Sequence, residues 1–378
     1  MKSVGAIVLL SAAVALGLDN YAFLSVGDWG GNALDESFYT TEQNVADVAA
    51  AMATASTAIS AKFIIGTGDN FYWCGITSTT DSQIAADFEQ PYSAVPLQLK
   101  WYQSLGNHEY GYSVQAQIDY MQLNPNWILP NRYYTQRIEM ADGIFMTILV
   151  LDTSPCISDY RNSNPTYWDP CSTQYPTCSQ KGTDDDFEGE CMFHENIVGQ
   201  DCGVQYNWLK ATMYGIPADD WLVVVGHHPI DEVNVLDFTT LLQERGFAIY
   251  LNGHTHLLNQ YTIDGAGAYV TTGAGAMVNT IDQEHPITKA KLEGRDVTPE
   301  MRRAHRKDVN ATDSATYSDH TYSKVWTQTV AGFTQHTFNS DFTSLTTDFV
   351  TYTGAIVNTF DVNKAGVITS QNGVAIEK

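Results

Sequence analysis

Five short segments of the chain combine a glycine with side chains that can bind metal ions. They are Val26-Gly27-Asp28-Trp29-Gly30, Gly68-Asp69-Asn70-Phe71-Tyr72, Gly106-Asn107-His108-Glu109, Val224-Val225-Gly226-His227 and Gly253-His254-Thr255-His256. Each follows a run typical of a β-strand, and an open α/β sheet presents its ligand crevice at the carboxyl ends of its strands. One such segment alone indicates a turn, a cap or a buried histidine. Five together predict a shared metal site.

The donor set suits two adjacent metal ions. Asp69 has two oxygens and can bridge both ions, and Tyr72 follows about one turn later, within reach of the same side. Asp28 and His256 can complete the shell of the first ion. The second ion would be held by Asn107, His227 and His254. A phenolate suits a hard trivalent ion, whereas imidazole and amide ligands suit a softer divalent one.

The elements that must position these residues alternate between strands and helices, which predicts an α/β fold. Predicted strands lie at Phe23–Val26, Lys62–Gly66, Lys100–Leu105, Trp221–Val225 and Phe247–Leu251. Predicted helices lie at Glu42–Ala61, Val204–Met213 and Phe238–Arg245. Arg132–Ile138 and Ile144–Leu151 form a predicted hairpin around Asp142-Gly143. The last sixty residues alternate Thr, Val, Phe and Tyr, which indicates antiparallel strands.

The five segments resemble those of the purple acid phosphatases of the small, tartrate-resistant type, in the calcineurin-like metallophosphoesterase superfamily. The resemblance runs from Phe23 to about Asp361. It includes Gly30-Gly31, Gln205-Tyr206-Asn207-Trp208-Leu209 and Thr271-Thr272-Gly273-Ala274-Gly275. It implies an α/β fold in which two mixed β-sheets pack as a sandwich flanked by helices, with the dimetal site at the carboxyl ends of strands.

The same resemblance implies roles for the site residues. Fe(III) would be held by Asp28, Asp69, Tyr72 and His256. A divalent Fe, Zn or Mn would be held by Asp69, Asn107, His227 and His254. His108 would face the substrate as proton donor. The implied reaction is hydrolysis of phosphate monoesters, on small molecules or phosphoproteins, by attack of a metal-bound hydroxide.

One departure from the tartrate-resistant type keeps other functions open. That type has a second substrate-side histidine nine residues after the ligand of the fourth segment, and this position is Leu236 here. Nearby polar residues are His228, Asp231, Glu232 and Asp237. One alternative is a dimetal phosphodiesterase or nucleotide phosphatase, although Tyr72 argues against a site with only divalent ions. Another is a non-catalytic iron-binding or redox-active secreted protein.

Composition limits the partners. The chain of 378 residues carries 43 acidic and 19 basic side chains, for a net charge of −24. This charge argues against binding to nucleic acid or to an anionic membrane surface. An anionic substrate then needs a local positive centre. Fe(III) and a divalent ion with two aspartates and one tyrosinate would leave about +2 there.

The N-terminus predicts secretion. Lys2 precedes the apolar run Val4–Leu16, and the small residues around Ala15-Leu16-Gly17 suit a signal peptidase, so residues 1–17 are a predicted signal peptide. No other stretch resembles a membrane span. We therefore expect a secreted protein, extracellular or in a lysosome-like compartment, with a glycosylation acceptor at Asn310-Ala311-Thr312.

Residues 18–378 are predicted to form one domain with two insertions. Residues 153–202 hold five of the six cysteines, nine acids and two bases, and look loop-like. Residues 281–323 carry seven of the nineteen cations. An even cysteine count in a secreted chain indicates disulfides. A zinc site is the alternative, but the sequence contains no Cys-x2-Cys pair that would support it. In the family that the chain resembles, cleavage of the loop after Leu151-Asp152-Thr153 relieves inhibition, which makes 153–202 a candidate site for a processing protease.

Overall fold

The structure is a computed structural model that describes residues 21–31, 45–161, 170–171, 178, 190–276, 278 and 320–376. The predicted signal peptide, the acceptor Asn310 and residues 281–319 of the second insertion lie outside the described residues.

In the described part of the chain, sixteen strands and five α-helices follow one another. The strands are β1 (Ala22–Val26), β2 (Phe63–Gly66), β3 (Lys100–Gln103), β4 (Trp127–Ile128), β5 (Tyr134–Ala141), β6 (Ile144–Val150), β7 (Trp221–Val225), β8 (Ile249–Asn252), β9 (Leu258–Ile263), β10 (Ala266–Thr272), β11 (Tyr322–Gln328), β12 (Gly332–Phe338), β13 (Ser344–Thr351), β14 (Ile356–Asn363), β15 (Ile368–Gln371) and β16 (Val374–Ala375). The helices are α1 (Val45–Ile59), α2 (Val114–Tyr120), α3 (Phe193–Val198), α4 (Cys202–Gly215) and α5 (Phe238–Arg245).

The strands form two mixed sheets. The nine-stranded sheet has the order β16-β15-β14-β13-β12-β1-β2-β3-β4, and the seven-stranded sheet has the order β11-β9-β10-β8-β7-β6-β5. Strands β1 to β4 are mutually parallel, as are β6, β7, β8 and β10 in the other sheet. The remaining pairings are antiparallel. The predicted α/β fold with two mixed sheets is therefore confirmed.

Four of the five parallel strands that lead to the site are buried along their whole length. Strands β1, β2, β7 and β8 have no exposed position, as expected where both faces of a sheet are covered. The face of α1 that was expected to be apolar, with Val45, Val48, Ala49 and Met52, is buried. The loops of the site therefore follow strands that are packed inside the protein.

The core lies between the two sheets. Trp221 of β7 contacts Phe338 of β12 with ring centroids 4.9 Å apart, and its Nε1 donates to the carbonyl of Phe342 at 3.1 Å. Trp326 of β11, the edge strand of the seven-stranded sheet, contacts Phe349 of β13 with ring centroids 4.9 Å apart. The sheets therefore pack face to face through large aromatic side chains.

Most predicted elements occur with small shifts at their ends. The bounds of β7 and α5 match, and the predicted hairpin is formed by β5 and β6. The hairpin of β9 and β10 and the short helices α2 and α3 were not predicted. Helix α3 lies inside the insertion that looked loop-like. It depends on tertiary contacts, because Asn196 Nδ2 donates to the carbonyls of Tyr110 and Tyr112 at 2.9 and 2.8 Å.

Three disulfides join the six cysteines, as the even count indicated. They are Cys74–Cys178, Cys156–Cys202 and Cys171–Cys191. All three involve the first insertion, and Cys74–Cys178 links it to the loop after β2. Among the described residues, no helix is both long and apolar enough to cross a membrane.

His336 is a fully buried imidazole inside the nine-stranded sheet. Its Nε2 lies 3.0 Å from Ser25 Oγ and 3.1 Å from Thr334 Oγ1, and its Nδ1 lies 2.9 Å from Thr347 Oγ1. Phe23 stacks on the ring at 4.5 Å. Among the residues that the structure describes, no carboxylate takes part in this hydrogen-bonded cluster, and burial lowers the pKa of His336 from 6.5 to about 3.

We predict that His336 makes the fold less stable in acid. Between the folded pKa of about 3 and the unfolded value of 6.5, the unfolded chain binds one more proton at this residue. The free energy of unfolding therefore falls as the pH is lowered through that window, by up to about 1.4 kcal/mol per pH unit. Urea denaturation of wild type and His336→Asn between pH 4 and 7 measures this. The advantage of the wild type should shrink toward pH 4, and a constant difference would contradict the prediction.

Candidate dimetal centre

The predicted site residues lie on five loops that meet where the two sheets adjoin. Asp28 follows β1, Asp69 and Tyr72 follow β2, and Asn107 and His108 follow β3, all in the nine-stranded sheet. The other three are His227 after β7 and His254 and His256 after β8, in the seven-stranded sheet. Each loop leaves the carboxyl end of a parallel strand, so the sheet directions bring the loops together.

Hydrogen bonds between the loops lock the two sheets together at the site. The backbone N–H of His254 donates to both carboxylate oxygens of Asp28, at 3.0 and 2.9 Å. His227 Nδ1 donates to the carbonyl of Thr67 at 2.9 Å, which leaves its Nε2 as a lone-pair donor toward the site. A Cβ on Gly253 would lie 2.4 Å from Asp28 Oδ2, so this approach requires glycine.

Four of the candidate ligands have left-handed backbone conformations. The φ angles are 53° for Asp28, 51° for Asp69, 75° for His254 and 48° for His256. Such angles are uncommon outside glycine, and they cluster where the surrounding structure fixes a functional side chain. Sequence patterns alone did not indicate these conformations.

One group of donors surrounds the Tyr72 hydroxyl. This oxygen lies 3.2 Å from Asp28 Oδ1, 3.2 Å from Asp69 Oδ2 and 3.0 Å from His256 Nε2. His256 Nε2 is also 3.3 Å from Asp28 Oδ1. All four side chains are buried. This is the set that the sequence assigned to the first ion.

A second group surrounds the side-chain oxygen of Asn107. His227 Nε2 lies 2.9 Å and His254 Nδ1 lies 3.1 Å from Asn107 Oδ1. Asp69 Oδ2 is 3.2 Å from His227 Nε2. Asp69 therefore contacts both groups, as a residue that bridges two ions must.

The chemistry of the site fits bound cations. Burial raises the pKa of Tyr72 well above its usual value, and the charges of Asp28 and Asp69 raise it further. Burial alone would raise the pKa of Asp69, but His227 and His108 hold it well below its usual range. Ligand atoms of Asp28, Asp69 and His227 all lie within 4.8 Å of one another. Buried carboxylates this close to one another and to a phenol need positive charge between them.

His108 is oriented toward the two groups. Its Nδ1 lies 2.6 Å from the carbonyl oxygen of Trp73, which only accepts, so Nδ1 donates and Nε2 faces the site. Nε2 is 3.9 Å from Asp69 Oδ2, and the ring packs edge-on to Tyr72 at 4.5 Å. Burial lowers the pKa of His108 below 6.5, although the charge of Asp69 acts in the opposite direction.

Glu109 has a role that sequence analysis did not identify. Its buried carboxylate accepts backbone N–H groups of Asp69 at 3.0 Å, Asn70 at 2.8 Å, Phe71 at 3.2 Å and Gly106 at 2.5 Å. It therefore fixes the loop after β2 against the loop after β3. Burial, with the charge of Asp69, raises the pKa of Glu109 to about 7. The hint in the sequence is the position of Glu109, which directly follows the candidate ligand Asn107 and the candidate proton donor His108.

The residues near Leu236 occupy distinct positions. Leu236 is half-buried and packs against the core. Its hydrocarbon side chain has no polar group to offer a substrate. His228 is held at Nδ1 by Thr153 Oγ1 at 2.8 Å and at Nε2 by Tyr160 Oη at 3.1 Å. Asp237 caps α5 through the N–H of Thr240 at 2.9 Å and also meets His320. Glu232 Oε2 lies 3.7 Å from His254 Nε2.

Asp231, the remaining polar residue of this stretch, is buried. Its charge contributes to the raised pKa values of Tyr250 and Tyr261, after burial itself. Of the four residues named near Leu236, His228 and Glu232 lie close to candidate ligand residues. Ligand atoms of His227, His228 and His254 lie within 4.8 Å of one another.

Solved structures with the same fold include two with high coverage of this chain. GAP50, the anchor in the inner membrane complex of Plasmodium, aligns with a TM-score of 0.56 at 17% identity, over 94% of this chain and 91% of that one. Purple acid phosphatase from yellow lupin (Lupinus luteus) seeds aligns with a TM-score of 0.50 at 11% identity, over 91% of this chain and 54% of that one. At these identities the alignments establish the fold.

Sequence comparison establishes the family. The family model described as calcineurin-like phosphoesterase matches residues 21–258, which include every candidate ligand. Tartrate-resistant acid phosphatase type 5 of Mus musculus is 30% identical over 268 residues, which cover 67% of this chain and 72% of that protein. The resemblance seen in the five segments is thereby confirmed. The chain belongs to the calcineurin-like phosphoesterases and, within them, to the purple acid phosphatases, which are metal-dependent phosphate ester hydrolases.

Proposed function

We propose that this protein is a secreted acid phosphatase that hydrolyses phosphate monoesters with Fe(III) and a divalent Fe, Zn or Mn ion. The observation that carries the proposal is the convergence of Asp28, Asp69 and His256 on the Tyr72 hydroxyl within 3.2 Å. A buried phenol among carboxylates is the donor set expected for a trivalent ion and is unusual for a site of divalent ions alone.

In this proposal each group of donors binds one ion. Fe(III) is bound by Asp28, Asp69, Tyr72 and His256, and the divalent ion by Asp69, Asn107, His227 and His254. When bound, the pair of ions supplies charge that attracts the phosphate and lowers the pKa of water. This local charge compensates for a protein whose net charge of −24 would otherwise repel an anionic substrate.

His108 is the proposed proton donor to the leaving group. The Trp73 carbonyl fixes Nδ1, so the proton available for transfer is at Nε2, on the side of the candidate ligands. The ring is held between Tyr72 at 4.5 Å and Trp73 at 5.6 Å. A buried imidazole with two aromatic neighbours has little freedom to leave this orientation.

The three disulfides support the proposed secretion, because such bonds persist in oxidising compartments. The proposed location is extracellular or in a lysosome-like compartment. Phosphate esters of small molecules and of phosphoproteins both remain within the proposed substrate class.

The first prediction from this assignment is a coloured protein. A tyrosinate bound to Fe(III) gives a charge-transfer band in the visible, so iron-loaded wild type should show one. Tyr72→Phe should lose the band while keeping its far-ultraviolet circular dichroism. Tyr92→Phe is the matched control, because Tyr92 is equally buried but packs against Trp29 and Trp101. An iron-containing wild type without a visible band would contradict the role of Tyr72.

The second prediction concerns pH and leaving groups. Since burial lowers the pKa of His108 below 6.5, its protonated form accumulates only in acid, and turnover of alkyl phosphates should rise as the pH falls toward that pKa. His108→Ala should lose this rise and about 10²–10⁴-fold in kcat on alkyl phosphates. The loss should be much smaller for nitrophenyl phosphate, whose leaving group needs little protonation. Equal losses on both substrates would argue against proton donation.

The third prediction concerns the first insertion. The Cys74–Cys178 disulfide anchors Cys178 of this insertion next to Trp73, which orients His108. We propose that the acids of the insertion compete with phosphate for the positive centre and that a processing protease relieves this. Cleavage between residues 181 and 190, outside the described residues, or replacement of Asp184–Asp186 by Asn, should lower KM for phosphate esters. Unchanged KM and kcat after a verified cut would leave the insertion a purely structural role.

A further inference from the structure

Glu232 is held in a fixed place beside the candidate divalent site. It ends a short turn, Ile230–Glu232, that follows His228 and Pro229, and its N–H donates to the carbonyl of Pro229 at 2.9 Å. Ile230 is fully buried, and its carbonyl accepts Thr239 Oγ1 of α5 at 3.3 Å. Packing of the turn against α5 therefore fixes the backbone from which the Glu232 side chain extends.

The carboxylate of Glu232 faces the outer nitrogen of His254. Nδ1 of this imidazole points to Asn107 Oδ1 at 3.1 Å, in the group proposed to bind the divalent ion, while Nε2 lies 3.7 Å from Glu232 Oε2. The side chains of His254 and Glu232 are only 10% and 12% exposed. A charge so shielded from water acts on its neighbours far more strongly than a surface charge does.

A carboxylate behind a metal-binding imidazole has two consequences. At 3.7 Å it acts through its charge, which favours a proton on Nε2 and so leaves Nδ1 free to bind the metal. Loss of such a partner typically weakens metal binding about 10- to 100-fold. Its negative charge also lies near the place where an anionic phosphate must bind, and it opposes that binding. The charge of Glu232 therefore strengthens binding of the cation and weakens binding of the anion.

The geometry points to Glu232 as a positioning residue that strengthens binding of the divalent ion through His254 and weakens binding of phosphate. This inference rests on the proposed dimetal function and adds a residue for which the five ligand segments gave no signal. It also means that a charged side chain from the stretch around Leu236 takes part in the site. A fixed negative charge thus lies beside the candidate divalent site, in a stretch where Leu236 stands in place of the substrate-side histidine expected from the tartrate-resistant type.

The experiment compares wild type, Glu232→Gln and Glu244→Gln as purified iron-loaded proteins. Glu244 is an exposed acid of α5, so its replacement removes the same charge without touching the site. Competition with a chelator measures the dissociation constant for Zn²⁺, and calorimetry with inorganic phosphate at saturating Zn²⁺ measures anion binding. Glu232→Gln should bind Zn²⁺ about tenfold more weakly and phosphate several-fold more tightly. Glu244→Gln should match wild type in both.

The opposite signs make the outcomes distinct. If Glu232→Gln matches Glu244→Gln in both constants, or if metal and phosphate binding weaken together as in a damaged site, the inference is wrong while the dimetal function stands. If wild type itself takes up no second metal ion, the proposed function fails and the inference fails with it. Circular dichroism and thermal melting of the three proteins identify a folding defect, which would also overturn a role limited to charge.

Discussion

The site depends on one contact that spans the two sheets, the hydrogen bonds from the N–H of His254 to both oxygens of Asp28. Asp28 follows β1 in the nine-stranded sheet and His254 follows β8 in the seven-stranded sheet. Neither sheet alone carries all the ligands of either proposed ion. The contact of Trp221 with Phe338 between the sheets therefore matters for the site, because packing of the sheets holds their strand ends next to each other.

The concentration of polar groups at this junction is costly without cations. The Tyr72 hydroxyl lies 3.2 Å from a carboxylate oxygen of Asp28 and 3.2 Å from one of Asp69, and all three side chains are buried. Four candidate ligands also have left-handed backbone angles. The protein compensates with backbone interactions, most clearly at Glu109, whose carboxylate accepts four N–H groups from two loops. Such a prearranged site limits the rearrangement needed when metal ions bind.

The difference expected from the tartrate-resistant type concerns Leu236, which is not one of the candidate ligands. Around Leu236, His228 is held by Thr153 and Tyr160, and Glu232 faces His254. Thr153 and Tyr160 belong to the start of the first insertion, which the three disulfides anchor.

The sequence by itself determined the fold class and most strands, and it was enough to propose the seven candidate ligands. These depend on local patterns, namely apolar runs that end in glycine followed by a metal-binding side chain. It could not determine the short helix α3, the pairing of cysteines, the left-handed angles or the role of Glu109. Each of these depends on residues far apart in the chain, as when Cys74 meets Cys178. The position of Glu232 was likewise decided only by the tertiary structure, since its distance from His254 depends on how the turn packs against α5.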